Sequence, residues 1–359
     1  MRASRALGLL AATLLLGAAP APGELRLKAG EQPAPASLEG VRKLIGATGP
    51  KQRPTCLKPT AGDGPTLKIS KGQRLQVEDL CVHAAPGQAA IEVEGLLIFR
   101  RLRLVGGRHG LKVKGGRVSG EGLVVRDAQT ALWVIDGHAG IKGLDASGGP
   151  SRPLIFAARS SLTLAGVKVR GGEYGLLGAP GVRLDLKEVE VLGAAYAGLG
   201  LTGAAGEIRG LRVEGGAGGG VLVSDLQGPL RMSKIEIRGV RGVGLQLIRG
   251  AARLEDIQVA RVSLDHSGGT GHGLYLEDFQ GEVEGVRVES IAGVGVLALG
   301  GSFSLAKLRC AQVSACLGAD RGATVYLGGP ATAEALGGKV WSDGGARLRP
   351  ASSPDGAAR

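Results

Sequence analysis

The chain predicts an all-β solenoid: one elongated body in which short strands stack coil upon coil. Three observations predict it. The pattern of Gly281 to Gly301, GEVEGVRVESIAGVGVLALGG, returns with variations from about residue 67 to about residue 330. Its most faithful parts, Val286-Arg287-Val288 and Val294-Gly295-Val296, are short β-branched runs of the kind that fit a pleated, half-buried strand. The repeat length falls in the range, roughly 20 to 50 residues, that marks repeat architectures. A solenoid grows along one axis, so the 359 residues form one domain where length alone would suggest two.

The coils align on a three-residue strand core of the form apolar, variable, apolar. The series runs Leu80-Cys81-Val82, Leu102-Arg103-Leu104, Leu123-Val124-Val125, Leu144-Asp145-Ala146, Val167-Lys168-Val169 and Val189-Glu190-Val191. It continues as Leu211-Arg212-Val213, Ile235-Glu236-Ile237, Ile257-Gln258-Val259, Val286-Arg287-Val288 and Leu308-Arg309-Cys310, eleven coils in all. Successive middle positions are 21 to 24 residues apart, except for the 29 between Gln258 and Arg287, so one coil carries an insertion. Side chains alternate across a strand, which sends the aliphatic outer members inward and the middle members, Arg103, Asp145, Lys168, Glu190, Arg212, Glu236 and Arg287 among them, into solvent. Stacked about 4.8 Å apart, Lys168, Glu190, Arg212 and Glu236 form a ladder of alternating sign, read as a solvated face that sets register.

A second strand follows each triplet, as in Gly110-Leu111-Lys112-Val113, Ala131-Leu132-Trp133-Val134, Gly198-Leu199-Gly200-Leu201, Gly244-Leu245-Gln246-Leu247 and Gly273-Leu274-Tyr275-Leu276. The opening glycine suits a corner whose dihedrals are closed to other residues. A third strand, seen in Leu230-Arg231-Met232 and Phe303-Ser304-Leu305, completes the coil.

At the N-terminus, Met1 to Gly23 reads as a secretory leader: Arg2 and Arg5 form the charged start, Ala6 to Leu16 the apolar run and Ala19 to Gly23 the small-residue cleavage region. The run is too short to span a bilayer, and no other stretch reaches about 18 uninterrupted apolar residues. The mature chain is therefore expected to be secreted or periplasmic, with no transmembrane segment; the lack of a cysteine near the cleavage region argues against a lipid anchor. Residues 24–66 form a Pro-rich leader with a short N-terminal capping helix, in which Leu38, Val41, Leu44 and Ile45 share a face behind Ser37 as N-cap. The repeat occupies residues 67–343, and residues 344–359, rich in Gly, Ala, Ser, Pro and Arg, read as a disordered tail.

Three strands per coil of about 22 residues, with glycine at the corners, resemble the right-handed parallel β-helix of the pectate-lyase-like superfamily across residues 67 to 330. The resemblance implies a fold and no single activity, since that fold hosts lyases, hydrolases, epimerases, adhesins and structural proteins. It also implies that in polysaccharide-cleaving members acidic and basic residues gather on the outward face of one parallel sheet, where an extended sugar chain lies.

Uronate elimination needs a base and a carboxylate-bound cation, and hydrolysis needs paired carboxylates. The outward residues of the second strand are Lys112, Trp133, Leu177, Gly200, Leu222, Gln246, Tyr275 and Leu297, followed by Ile135, Ser224, Ile248, Glu277 and Leu299. Glu277 is the one carboxylate among them, which argues against a paired-acid site. Gly271-His272-Gly273 resembles the Gly-His-Gly of polygalacturonase-type hydrolases, yet Arg241-Gly242-Val243 on the preceding coil supplies no Asp pair and the downstream Arg287-Val288-Glu289 ends in the wrong charge. The same turn position is held by Val243 and Val294 in neighbouring coils, so His272 reads most simply as a turn residue.

The insertion Ser263 to Thr270 brings Asp265 and His266 near His272 and Glu277 in sequence, and these four are the catalytic candidates. The apolar outward residues Trp133, Ile135, Leu177, Leu222, Ile248, Leu297 and Leu299 form a stripe suited to a partner or to coverage by the chain's own ends; Trp133, Leu222, Tyr275 and Leu297 are the binding candidates. Four cysteines fall in two pairs near the ends of the array, Cys56 with Cys81 and Cys310 with Cys316, and in an exported protein they read as disulfides. Neither pair has zinc-finger spacing, and no metal or other cofactor is implied.

A net charge of +12 suits attraction to an anionic polysaccharide, while 3% aromatic residues give little base-stacking surface and so no specific nucleic-acid role. The expected function is a non-catalytic scaffold or binding protein of the cell envelope or extracellular space that holds an anionic glycan or an envelope protein; a polysaccharide lyase or glycoside hydrolase is the alternative.

Overall fold

The computed structural model describes residues 23–47, 54–60, 62–269, 271–328 and 340–350. Met1 to Pro22 of the leader and residues 351–359 of the tail lie outside the described residues. Every pairing in the described chain is parallel, and the strands fall into three stacks that wind together as a parallel β-helix. Sheet I holds the triplets, sheet II the strands that follow them, and sheet III the strands that complete each coil. In sheet I, Val124 pairs with Arg103 and Asp145, as the aligned triplets require.

The stack runs to about 14 turns, a rod roughly 65 Å long at the usual strand spacing, because coils form beyond both ends of the eleven aligned by sequence. Glu24–Arg26, Lys43–Ile45, Gly30–Pro33 and Thr55–Lys58 build the first layers. Arg347–Pro350 pairs with Thr324–Gly328 in the last.

No helix occurs among the described residues, so the expected capping helix is absent. Ser37 Oγ does accept the Glu39 amide at 3.0 Å, as a cap would, but Gly40 leaves the helical path at φ +74°. The chain then extends, and Lys43–Ile45 pairs with Glu24–Arg26 on one side and with Arg74–His83 on the other, burying Leu44 completely.

The core is a continuous column of Leu, Val and Ile from the inward positions of all three sheets. Each such side chain contributes about 1.5–3 kcal/mol when removed from water. Phe279 fills the largest fully buried position and meets Phe303 of the next coil edge-on, with ring centroids 5.5 Å apart. The triplet midpoints are solvated as expected, except Cys81 of the first aligned coil, which is buried. Of the predicted charge ladder, Lys168 pairs with Glu190 across coils at 2.6 Å, whereas Glu236 turns within its own strand to Arg238, also at 2.6 Å.

Two kinds of corner shape the coil. Sheets III and I are joined within single long strands such as Leu96–Val105, bent at one residue with positive φ. The column of bends is Asp79, Arg101, Gly122, Gly143, Gly166, Glu188, Gly210, Lys234, Asp256, Gly285 and Lys307. A non-glycine residue there costs about 1–2 kcal/mol. The corner points into solvent, so charged residues pair between coils, as Arg101 does with Asp79 through both carboxylate oxygens.

The glycines that open sheet II serve another purpose than the one expected. None of Gly110, Gly175, Gly198, Gly220, Gly244, Gly273 and Gly295 has a positive φ. At all of them but Gly295, which faces Val288 of its own coil, a Cβ would instead strike the last side chain of the next coil's triplet: Val125 Cγ1 at 2.7 Å from Gly110, Val213 Cγ2 at 2.7 Å from Gly198, Val288 Cγ1 at 2.8 Å from Gly273. Other coils depart from this, with Ala90, Ala131 and Leu154 at the opening position. Ala131 stacks on Gly110 in register, and there the Val125 column holds Ala146.

Candidate functional site

Sheet II presents one outward row, set by register: Lys68, Glu92, Lys112, Trp133, Phe156, Leu177, Gly200, Leu222, Gln246 and Tyr275, continued by Leu297, Gly318 and Trp341. Alternation places these side chains opposite the buried set, so they are free of the core's packing demands.

The row is charged at its start and aromatic next. Lys112 Nζ binds Glu92 at 2.7 Å and stands 5.8 Å from the Trp133 ring centre, a cation over an aromatic face. Trp133 and Phe156 stack with centroids 6.2 Å apart and planes 24° from parallel. His109 packs against Trp133 at 5.6 Å; its Nδ1 is buried and has no hydrogen-bond partner among the described residues. Burial, reinforced by the positive charges of Arg108, Lys112 and Arg152, pushes its pKa down to about 4, so the imidazole is neutral at pH 7. Trp133 is a candidate from sequence. Phe156 is not, because the irregular Gly148 to Pro153 segment hides its strand and Leu154 replaces the opening glycine.

Farther along, Tyr174 lies over Gly200, where a Cβ would fall 2.8 Å from its ring, and meets Tyr196 edge-on at 5.3 Å. Leu222 is half-exposed, whereas Leu297 is buried and adds little to the surface. Trp341 lies in the same way over Gly318.

The catalytic candidates separate into two groups. The His272 ring stacks on Tyr275 at 6.2 Å, and its Nδ1 accepts the Val294 amide at 3.2 Å, which ties it to the equivalent turn of the next coil. Burial lowers its pKa. Tyr275 donates its hydroxyl to Glu277 Oε2 at 2.9 Å, and Arg321 Nη1 holds the other oxygen at 3.3 Å. Burial and this contact raise the Tyr275 pKa.

Asp265, by contrast, organises its own loop, accepting Ser267 Oγ at 2.7 Å and the Gly269 amide at 3.0 Å, and His266 is exposed. Among the described residues, no three of Asp265, His266, His272 and Glu277 come within metal-sharing distance.

The cysteines also divide. Cys310 and Cys316 form a disulfide, with Cα atoms 5.7 Å apart, that crosses the corner between sheets I and II at the last coils. Cys56 and Cys81 are free thiols rather than the expected bridge. They are register partners on neighbouring parallel strands, so their Cα–Cβ bonds run side by side instead of converging.

No protein-family model and no curated protein sequence matches the chain. Among solved structures, the chain is similar to the A-module of a mannuronan C-5 epimerase from Azotobacter vinelandii, with a TM-score of 0.36 and 15% identity over 92% of this chain and 89% of that one. Among the described residues, no helix is long and apolar enough to cross a membrane.

Proposed function

We propose that the protein is an exported, non-catalytic β-helix module that binds an acidic polysaccharide along the outward face of sheet II. The observation that carries this reading is the stacked Trp133–Phe156 platform with Lys112 over its edge and Arg108 and Arg152 nearby. The aromatic pair offers apolar contact to a sugar ring, and Arg108 and Arg152 receive its carboxylate. The carboxylates of the same face are neutralised within the protein, Glu92 by Lys112 and Glu277 by Arg321, which favours binding over acid–base cleavage. Export is supported by the leader composition and the Cys310–Cys316 disulfide.

A second reading, a polysaccharide lyase or glycoside hydrolase, is favoured by one observation: Tyr275 joins His272 to Glu277 on this face. One experiment separates the two. Affinity for polyuronates is measured by titration for wild type, Trp133→Ala, Phe156→Ala and His272→Ala, with unsaturated or reducing products assayed in parallel. The binding module predicts no product and about 3- to 10-fold weaker binding for each aromatic variant, the equivalent of one aromatic contact. Wild-type turnover lost in His272→Ala refutes it, and so does affinity unchanged by both aromatic substitutions.

A further inference from the structure

Near the N-terminal end of sheet I, outside the face just described, lies a cluster built by register. Cys56 on Thr55–Lys58 pairs with Cys81 on Arg74–His83, and His83 follows Cys81 by two residues, hence on the same outward side. One ligand atom from each, the two sulfurs and an imidazole nitrogen, all lie within 4.8 Å of one another. In a tetrahedral site with metal–sulfur bonds of about 2.3 Å and metal–nitrogen bonds of about 2.0 Å, ligand atoms are separated by roughly 3.5–3.8 Å. The difference is roughly 1 Å, a distance on the scale of side-chain rotation. Cys81 is buried while Cys56 and His83 are half-exposed, so the site is anchored from below and open to solvent above.

We propose that Cys56, Cys81 and His83 bind a thiophilic d10 metal ion, zinc(II) or copper(I), that joins the second and third coils. Two thiolates and an imidazole are the donor set that such soft ions select. The neighbouring charges permit it. Of the two cations beside the cluster among the described residues, Lys58 is held by Glu31 at 2.5 Å, and Arg103, the register partner of Cys81, is exposed to solvent. The Lys58 contact occupies the Glu31 carboxylate and leaves the fourth coordination position to water. Without a cation, burial and the adjacent Cys56 thiol push Cys81 up to about 12, and a bound cation supplies the charge that stabilises its thiolate. The consequence is structural. The first coils have few layers beneath them, and a link from Cys56 to Cys81 fastens them much as the Cys310–Cys316 disulfide fastens the last coils.

The test uses the full chain, prepared anaerobically with Cys310–Cys316 intact and its free thiols counted after denaturation. Zinc(II) is titrated against a chromophoric chelator, and cobalt(II) is substituted to report thiolate ligation by its charge-transfer absorption. The proposal predicts two free thiols, one equivalent bound, and a thiolate–cobalt band. It also predicts at least 10-fold weaker binding in Cys81→Ser and in His83→Gln, and a metal-dependent rise in Tm that both variants lose. His83→Gln changes a half-exposed side chain, so it reads the site even if Cys81→Ser folds poorly. A Cys56–Cys81 disulfide in the anaerobically prepared protein overturns the proposal. So does stoichiometric binding that His83→Gln leaves unchanged.

Discussion

The glycines that open sheet II make a prediction that sequence repetition alone does not. Gly198→Ala places a Cβ on Val213, overlapping Cγ1 and lying 2.7 Å from Cγ2, while the nearest backbone atom, the Gly220 carbonyl oxygen, is 3.0 Å away. Overlap with a buried, β-branched side chain forces a rotamer or backbone shift costing about 1–3 kcal/mol; since Val213 is fully buried, the upper half of that range is expected. Val213→Ala alone removes two methyl groups and leaves a small cavity, for about 2 kcal/mol. In the double variant the introduced methyl enters the space that Val213 vacates, as Ala131 stands with Ala146 in the native chain. The double variant should therefore lose less than the sum of the singles by about 1 kcal/mol or more. Urea unfolding of the four proteins measures this cycle. A neutral Gly198→Ala, or strictly additive losses, would refute the steric account and return these glycines to the dihedral role expected from sequence.

Two further predictions concern the core and the aromatic face. Phe279→Ala, which empties the largest buried position and removes the contact with Phe303, should cost about 3–5 kcal/mol in urea unfolding, with strand circular dichroism retained. His109 sets a pH dependence. Its folded pKa, about 4, lies below the unfolded value near 6.5, so its contribution is fully present above pH 6.5 and is lost as pH falls towards 4. The full shift would correspond to about 3.4 kcal/mol, which partial solvent contact reduces to about 1–2 kcal/mol. His109→Gln should flatten the stability profile over that window, leaving a smaller slope of the same sign from His272; an unchanged profile would show that His109 is not the titrating group.

Sheet I was legible in the sequence because its triplets carry two independent signals, aliphatic flanks and a charged midpoint, and both follow from alternation across a strand. The first layers were not legible for the same reason: Glu24-Leu25-Arg26 is too polar to score as a buried strand, and the apolar residues of 37–45 fit a helical face as well as an extended one. Gly40 and the pairing with Arg74–His83 decide between them, and only the second is a long-range fact. On sheet II, Trp133 and Tyr275 could be read off as outward-facing, but Phe156 could not, and neither could the charge relation of Glu92, Lys112 and His109, which joins side chains on separate coils. The free state of Cys56 and Cys81 was also out of reach, since cysteine spacing does not encode whether two Cα–Cβ bonds converge.

Two uses of glycine then explain where this chain can hold a flat surface. At the sheet III to sheet I bend, glycine answers a backbone requirement, and charged residues replace it at a cost of about 1–2 kcal/mol. At the start of sheet II it answers a packing requirement, and where Ala131 replaces it the next coil's triplet ends in Ala146 in place of valine. Neither constraint reaches the outward row of sheet II, whose side chains pack on one another and on the rings of His109, Tyr174 and His272 beside the row. There a third use appears: Gly200 and Gly318 leave room for the rings of Tyr174 and Trp341 to lie against the sheet, where a Cβ would stand 2.8 Å and 2.6 Å from them. A glycine beneath a ring lowers it, and rings so placed lie low against the sheet beside the Trp133–Phe156 stack. An extended chain of rings can lie along such a row over several coils, and this is the physical ground for proposing sheet II as a surface for a polymer.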